Sequence, residues 1–103
     1  MTANPVVVVG VAQAAEARAE DLQDRLLDLA ARARSEPGCL EYRVHRAASG
    51  DGLFVFYEAW SSDADLHAHL AQPYLGEFMQ ARMAYLARDV DTHVLTELAA
   101  AAG

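Results

Sequence analysis

Residues 53–60 read LFVFYEAW, and no other stretch of the chain limits the fold so tightly. Strand alternation puts Leu53, Val55 and Tyr57 on one side and Phe54, Phe56 and Trp60 on the other. Neither side offers a polar face to water. A segment of this kind is stable as an interior strand with cover on both faces of its sheet. Val6–Val11 is β-branched and almost wholly apolar, and it makes the same demand. A chain of 103 residues has room for one domain with one modest core, so residues 1–103 are read as a single unit. Its Ala-rich end, residues 99–103, is expected to fray.

The remaining segments supply the partners for those strands. Residues 16–35 suit a helix, with Leu22, Leu26, Leu29 and Ala33 at helical spacing and Glu16, Glu20, Asp24, Asp28 and Arg32 on the solvated side. Pro37 disfavours helix at the residue before it, and Gly38 is expected to permit a sharp turn. Residues 39–46 alternate as a strand, with Leu40, Tyr42 and Val44 facing one way and Cys39, Glu41, Arg43 and His45 the other. Residues 47–52, AASGDG, form a hairpin loop. Ser62 with Asp65 resembles a capping box that opens a helix, and Pro73 divides that stretch and starts a second piece running to about Arg88. Residues 91–98, DTHVLTEL, alternate again as a closing strand.

Strand, helix, strand, strand, helix, strand is the split βαβ plan. The expected fold is therefore α+β and ferredoxin-like, a four-stranded antiparallel sheet with its helices on one face. The other face would be a large apolar patch if left open. A second copy packed sheet to sheet would bury it, so a homodimer is expected. The alternative is a monomer with a long tail laid across the sheet, for which this sequence has no spare segment.

Fifteen acidic residues against eight basic ones give a net charge of -7. That balance repels phosphate backbones and anionic lipid, so nucleic acid and membrane surfaces are not expected partners. No apolar run approaches the ~18 residues that a membrane span needs. The first residues lack the basic region of a secretory signal, and the lone Cys39 allows no internal disulfide, which together point to the cytoplasm. No nucleotide-binding Gly motif, CxxC, HExxH or GxSxG occurs, so no flavin, nicotinamide, metal or other cofactor is expected.

Reactive side chains concentrate between residues 58 and 70. His67 and His69 lie about 200° apart on a helix and cannot share one small site, which argues against a metal there. Each flanks the Leu66/Leu70 stripe, so periodicity does not choose between them. Asp65 stands one turn before His69 and is positioned to hold its ring, as Asp63 is for His67. Glu58 shares a strand face with Phe54, Phe56 and Trp60, where it needs either a basic partner such as Arg43 or Arg82, or a functional role. The Trp60 indole N–H needs an acceptor if buried. Tyr42, Tyr57 and Tyr74 carry hydroxyls whose ordinary explanation is packing. Met79 and Met83, four residues apart, read as core filler or a soft pocket wall. Arg46 is expected in solvent, His45 and His93 at a dimer seam, and Cys39 as a small buried hydrophobe.

Two stretches, SEPGCLEYRV at 35–44 and LFVFYEAWSSDADLHAHLAQPY at 53–74, together resemble the antibiotic biosynthesis monooxygenase family. The matching signature is Glu36-Pro37-Gly38-Cys39 followed by Glu58, Trp60 and His69. The resemblance implies a dimeric α+β barrel and selects His69 over His67. Where the family often has a second His after the helix-breaking Pro, this chain has Tyr74. Some members oxygenate polycyclic phenols, anthrones or quinols without a cofactor, and others degrade haem. Haem-degrading relatives add an Asn on the first strand, whereas here Asn4 precedes it. The implied activity is a cofactor-independent monooxygenation in which a small aromatic substrate, once deprotonated, reacts directly with O2. His69 would be the base, and Trp60 N–H or Tyr74 O–H would stabilise the oxyanion. Tyr42, Glu58, Phe56, Met79 and Met83 would complete the pocket. The alternatives are a non-catalytic ligand-binding dimer and a haem-binding relative.

Overall fold

The computed structural model describes residues 5–99, so Asn4 and all but the first residue of the Ala-rich end lie outside the described residues. Eight elements follow in chain order: β1 (Val6–Gln13), α1 (Ala19–Ala33), β2 (Cys39–Arg46), β3 (Leu53–Trp60), α2 (Asp63–Leu70), α3 (Pro73–Ala81), a short 3-10 turn (Arg82–Ala84) and β4 (Asp91–Thr96). The strands form one antiparallel sheet in the order β2-β3-β1-β4. The two strands that are apolar on both faces are thus the two interior ones, and the architecture is the ferredoxin-like α+β plan.

Strand register sorts the side chains into two faces. Val8 lies opposite Glu58, Gly10 opposite Phe56 and Ala12 opposite Phe54, and these residues meet the helices. Leu22, Leu26 and Leu29 of α1 pack there with Phe54 and Phe78, while Ala30 and Ala33 pack with Trp60, Tyr42 and Leu66. The other face carries Val7, Val9 and Val11 of β1, Val55, Tyr57 and Ala59 of β3, and Leu95 of β4. His45 and His93 stand at the margins of this second face, on which none of the three helices packs.

Three local expectations are revised. The first helix begins at Ala19, not at residue 16, because the backbone before it is already engaged: Ala14 N–H donates to Gly52 at 2.9 Å and Ala15 N–H to Tyr85 at 2.8 Å. Reversal is completed at Ala17, which adopts φ 64°. The last helix ends at Ala81 instead of running to Arg88, since Leu86 bridges to Ala14 and Ala87 N–H donates to Gln13. Tertiary contacts outrank helix propensity at both ends. In β2 a bulge between Cys39 and Glu41 turns Leu40 outward and sets Cys39 opposite Trp60, on the same face as Tyr42. Gly38 does stand in the expected turn, and close approach is a second reason for a glycine there. A Cβ there would meet the Asp65 carboxyl within 2.2–2.5 Å.

Candidate functional site

The capping pair that opens α2 also anchors it. Ser62 Oγ accepts from Asp65 N–H at 3.1 Å, and the Asp65 carboxylate accepts from the Ser61 and Ser62 hydroxyls, so both serines turn toward it. The same carboxyl group rests on Gly38, which docks the 36–38 turn against the start of α2. This contact brings Glu36 to His69, 33 positions away in sequence.

His69 is 2% exposed and is fixed on three sides. Its Nδ1 lies 2.8 Å from Glu36 Oε2, and its ring stacks on Trp60 with centroids 4.4 Å apart and planes 28° apart. The Tyr74 hydroxyl donates to the same Glu36 oxygen. A carboxylate that accepts from both partners favours an imidazole hydrogen on Nδ1. Nε2 stands 3.6 Å from Glu58 Oε1, and that oxygen accepts the Trp60 indole N–H at 2.9 Å. Burial pushes the Glu58 carboxyl above the ordinary carboxylate range, opposed by the Trp60 hydrogen bond and by His69. Burial likewise raises the Tyr42 phenol, with Glu58 adding to the effect, and raises the Cys39 thiol. Tyr74 is raised by burial and by its bond to Glu36.

This cluster closes one end of a cavity of about 450 Å³ between the sheet and the three helices. Its walls are apolar, including Val8, Leu26, Leu29, Leu66 and Phe78, and its polar lining is Tyr42, Glu58, His69 and Thr92. Volume and lining are those of a site for a small, largely apolar molecule held by a few polar groups.

Of the residues singled out from sequence, Tyr42, Phe56, Glu58, His69 and Met79 line the cavity together. Trp60 does not. It is wholly buried, a wall on which His69 leans, and its N–H is engaged by Glu58, which removes it as a donor to a ligand. Tyr74 also leaves the cavity: its hydroxyl is engaged by Glu36, and its ring lines a separate groove of about 280 Å³ with Arg32 and Glu77. Met83 lies on the 3-10 turn, 50% exposed, because α3 ends two residues earlier. His67 points to solvent. Neither arginine proposed for Glu58 reaches it, for Arg43 pairs with Glu41 at 2.9 Å and Arg82 with Asp89 at 2.8 Å. Asp65 is held by serines and is not the ring's partner. That partner is Glu36, which spacing within α2 had no means to reveal, although it stands in the Glu-Pro-Gly turn of the family signature.

The fold and the cavity define a ferredoxin-like α+β domain with an apolar pocket between its sheet and its helices. Residues 5–81 match the antibiotic biosynthesis monooxygenase family, and the chain belongs to it. The solved structure of PA3566 from Pseudomonas aeruginosa is 31% identical, with a TM-score of 0.88 and coverage of 96% of this chain and 99% of that one. Rv0793 from Mycobacterium tuberculosis is 26% identical with the same TM-score of 0.88, covering 95% and 99%. The uncharacterized protein sll1783 of Synechocystis is 29% identical over 91 residues, 88% of this chain, which spans 62% of that relative's length. Among the described residues no helix is long and apolar enough to cross a membrane.

Proposed function

We propose that this protein is a cofactor-independent monooxygenase acting on an aromatic small molecule of the anthrone, polycyclic phenol or quinol type. One observation carries the reading: His69 is held through Nδ1 by the Glu36 carboxylate, and its ring is part of the wall of an apolar cavity. A base oriented by a carboxylate and shielded from water is what proton abstraction from a weakly acidic ring system requires. His69 Nε2 takes the proton, and the substrate anion supplies electrons to O2. For an anthrone, the ring methylene and one molecule of O2 become a ring carbonyl and one molecule of water. The methylene carbon gives up four electrons, one oxygen atom becomes the carbonyl, and the other leaves as water with the two methylene hydrogens. The proton on His69 returns to the peroxide anion before that water departs. Trp60 acts here behind His69 and Glu58, as a positioning residue and not as a donor to the oxyanion.

The apolar face of Val7, Val9, Val11, Val55 and Tyr57 supports the second part of the proposal, a homodimer joined sheet to sheet. Oxygen uptake with an anthrone tests the chemistry. His69→Ala is expected to lower the rate by about 10²–10⁴-fold, the usual range for removing a general base, and Trp60→Phe by a smaller factor. An unchanged rate in His69→Ala removes the base from the scheme.

A further inference from the structure

Two polar atoms in the cavity take no part in the network around His69. Tyr42 is 5% exposed, and among the described residues its hydroxyl makes no hydrogen bond. Glu58 is also 5% exposed; Oε1 accepts from Trp60, while Oε2 has no donor among the described residues. No described side-chain nitrogen or oxygen that is sealed from the surface lacks a partner. Both atoms therefore open onto free space, and the space that both residues line is the cavity. Tyr42 and Glu58 are direct cross-strand partners of β2 and β3, so their side chains stand next to each other on the helix-facing side, Cβ atoms about 5 Å apart. One offers an O–H and the other a carboxylate oxygen. Around them stand Val8, Phe56 and Leu66, none of which can satisfy either group.

We propose that Tyr42 and Glu58 form a subsite that reads a phenolic hydroxyl on the ligand, a reading that rests on the aromatic substrate class proposed above. The ligand hydroxyl donates to Glu58 Oε2 and accepts from the Tyr42 O–H. A hydroxyl does both through a single oxygen. An ether or a carbonyl satisfies Tyr42 and leaves the carboxylate buried without a donor, and a bare hydrocarbon edge leaves both unpaired. Sites built around buried polar groups discriminate strongly for this reason, because the wrong ligand strands them. The subsite thus selects hydroxylated rings over unsubstituted ones. It leaves His69 Nε2 for the reacting position, so recognition and proton abstraction fall to different side chains.

Titration calorimetry with 2-naphthol and 2-methoxynaphthalene tests the pair, since the two probes share a ring system and differ in the donated hydrogen. The wild type is expected to bind 2-naphthol at least about tenfold more tightly, the factor for one hydrogen bond to a carboxylate. Glu58→Gln is expected to reduce that preference to less than about threefold, with 2-methoxynaphthalene binding retained as the check that the cavity is intact. Tyr42→Phe, which removes a donor that both probes accept from, is expected to weaken both by a similar factor of about 2–10. Equal affinities in the wild type, no binding of 2-naphthol, a preference that survives in Glu58→Gln, or unchanged affinity for both probes in Tyr42→Phe overturns the subsite. Oxygen uptake with an anthrone, measured on the same proteins, separates this outcome from that of the oxygenase reading. A wild type without turnover whose naphthol preference is lost in Glu58→Gln keeps the subsite and removes the oxygenase. Turnover without a hydroxyl preference does the reverse.

Discussion

The two faces of the sheet are built from alternate residues of the same strands, yet they are organised by different physics. On the helix side β3 presents Phe54, Phe56, Glu58 and Trp60, and the carboxylate is tolerated because Trp60 donates to it and His69 stands beside it. On the other side the same strand presents Leu53, Val55, Tyr57 and Ala59, with no buried charge at all. Hydrophobic cover is interchangeable, since any apolar surface of matching shape supplies it. A buried polar cluster is not, since each donor and acceptor must find its own partner. The helix face is therefore the specific one, to which the proposed chemistry is assigned, and the valine face is the one the proposed dimer would cover.

Breaking the helix face at its centre is expected to have the largest effect. Trp60→Ala removes a wholly buried ring that supports His69 and bonds Glu58, and is expected to cost about 3–5 kcal/mol in denaturant unfolding. The valine face is probed next by Val9→Lys, which sets a charge between Tyr57 and His93. Sedimentation of the proposed dimer should then report half the mass, with the fold retained by circular dichroism; an unchanged mass would remove the sheet-to-sheet dimer. Gly10→Ala returns to the helix side with a smaller perturbation. The new Cβ would lie 1.9 Å from the Phe56 ring, which must move into the cavity at a cost of about 1–3 kcal/mol. Ligand affinity should fall along with the unfolding midpoint.

Glu58→Gln sharpens the comparison through pH. Burial raises the folded-state pKa of Glu58 above its unfolded value, so the folded protein holds this proton more tightly. Its contribution to stability is fully present below the unfolded carboxylate pKa, about 4.3, and is lost as pH rises through the raised value. The Gln variant, unable to ionise, should gain on the wild type as urea midpoints are compared from about pH 4 to about pH 8. A constant difference would contradict the raised carboxyl. The smallest effect belongs to neither face. Asp89 is held down to about 2 by its hydrogen bonds from Arg82 and from Val90 N–H, but its side chain is exposed. Solvent screens such a pair, so Asp89→Asn should leave the thermal midpoint close to that of the wild type.

Much of this architecture was legible in the chain. Apolarity on both sides of residues 6–11 and 53–60 requires interior strands, and the order of strands and helices leaves few topologies. His69 was separable from His67 only through the family signature, because both flank the same Leu66/Leu70 stripe. Trp60 and Tyr74 were misplaced for a common reason: alternation and spacing say which way a side chain leaves the backbone, and not what already occupies the space it enters. Met83 was misplaced because α3 stops short of it.

Local pattern thus settled the elements, their order and the strand that holds the middle, since hydrophobic periodicity is written within a few residues. Packing alone settled the site. Glu36 reaches His69 across 33 positions because Gly38 lets Asp65 sit against the turn, and the bulge at Leu40 turns Cys39 to the helix side. Contacts between distant segments depend on the summed fit of everything between them, which no stretch of sequence carries by itself.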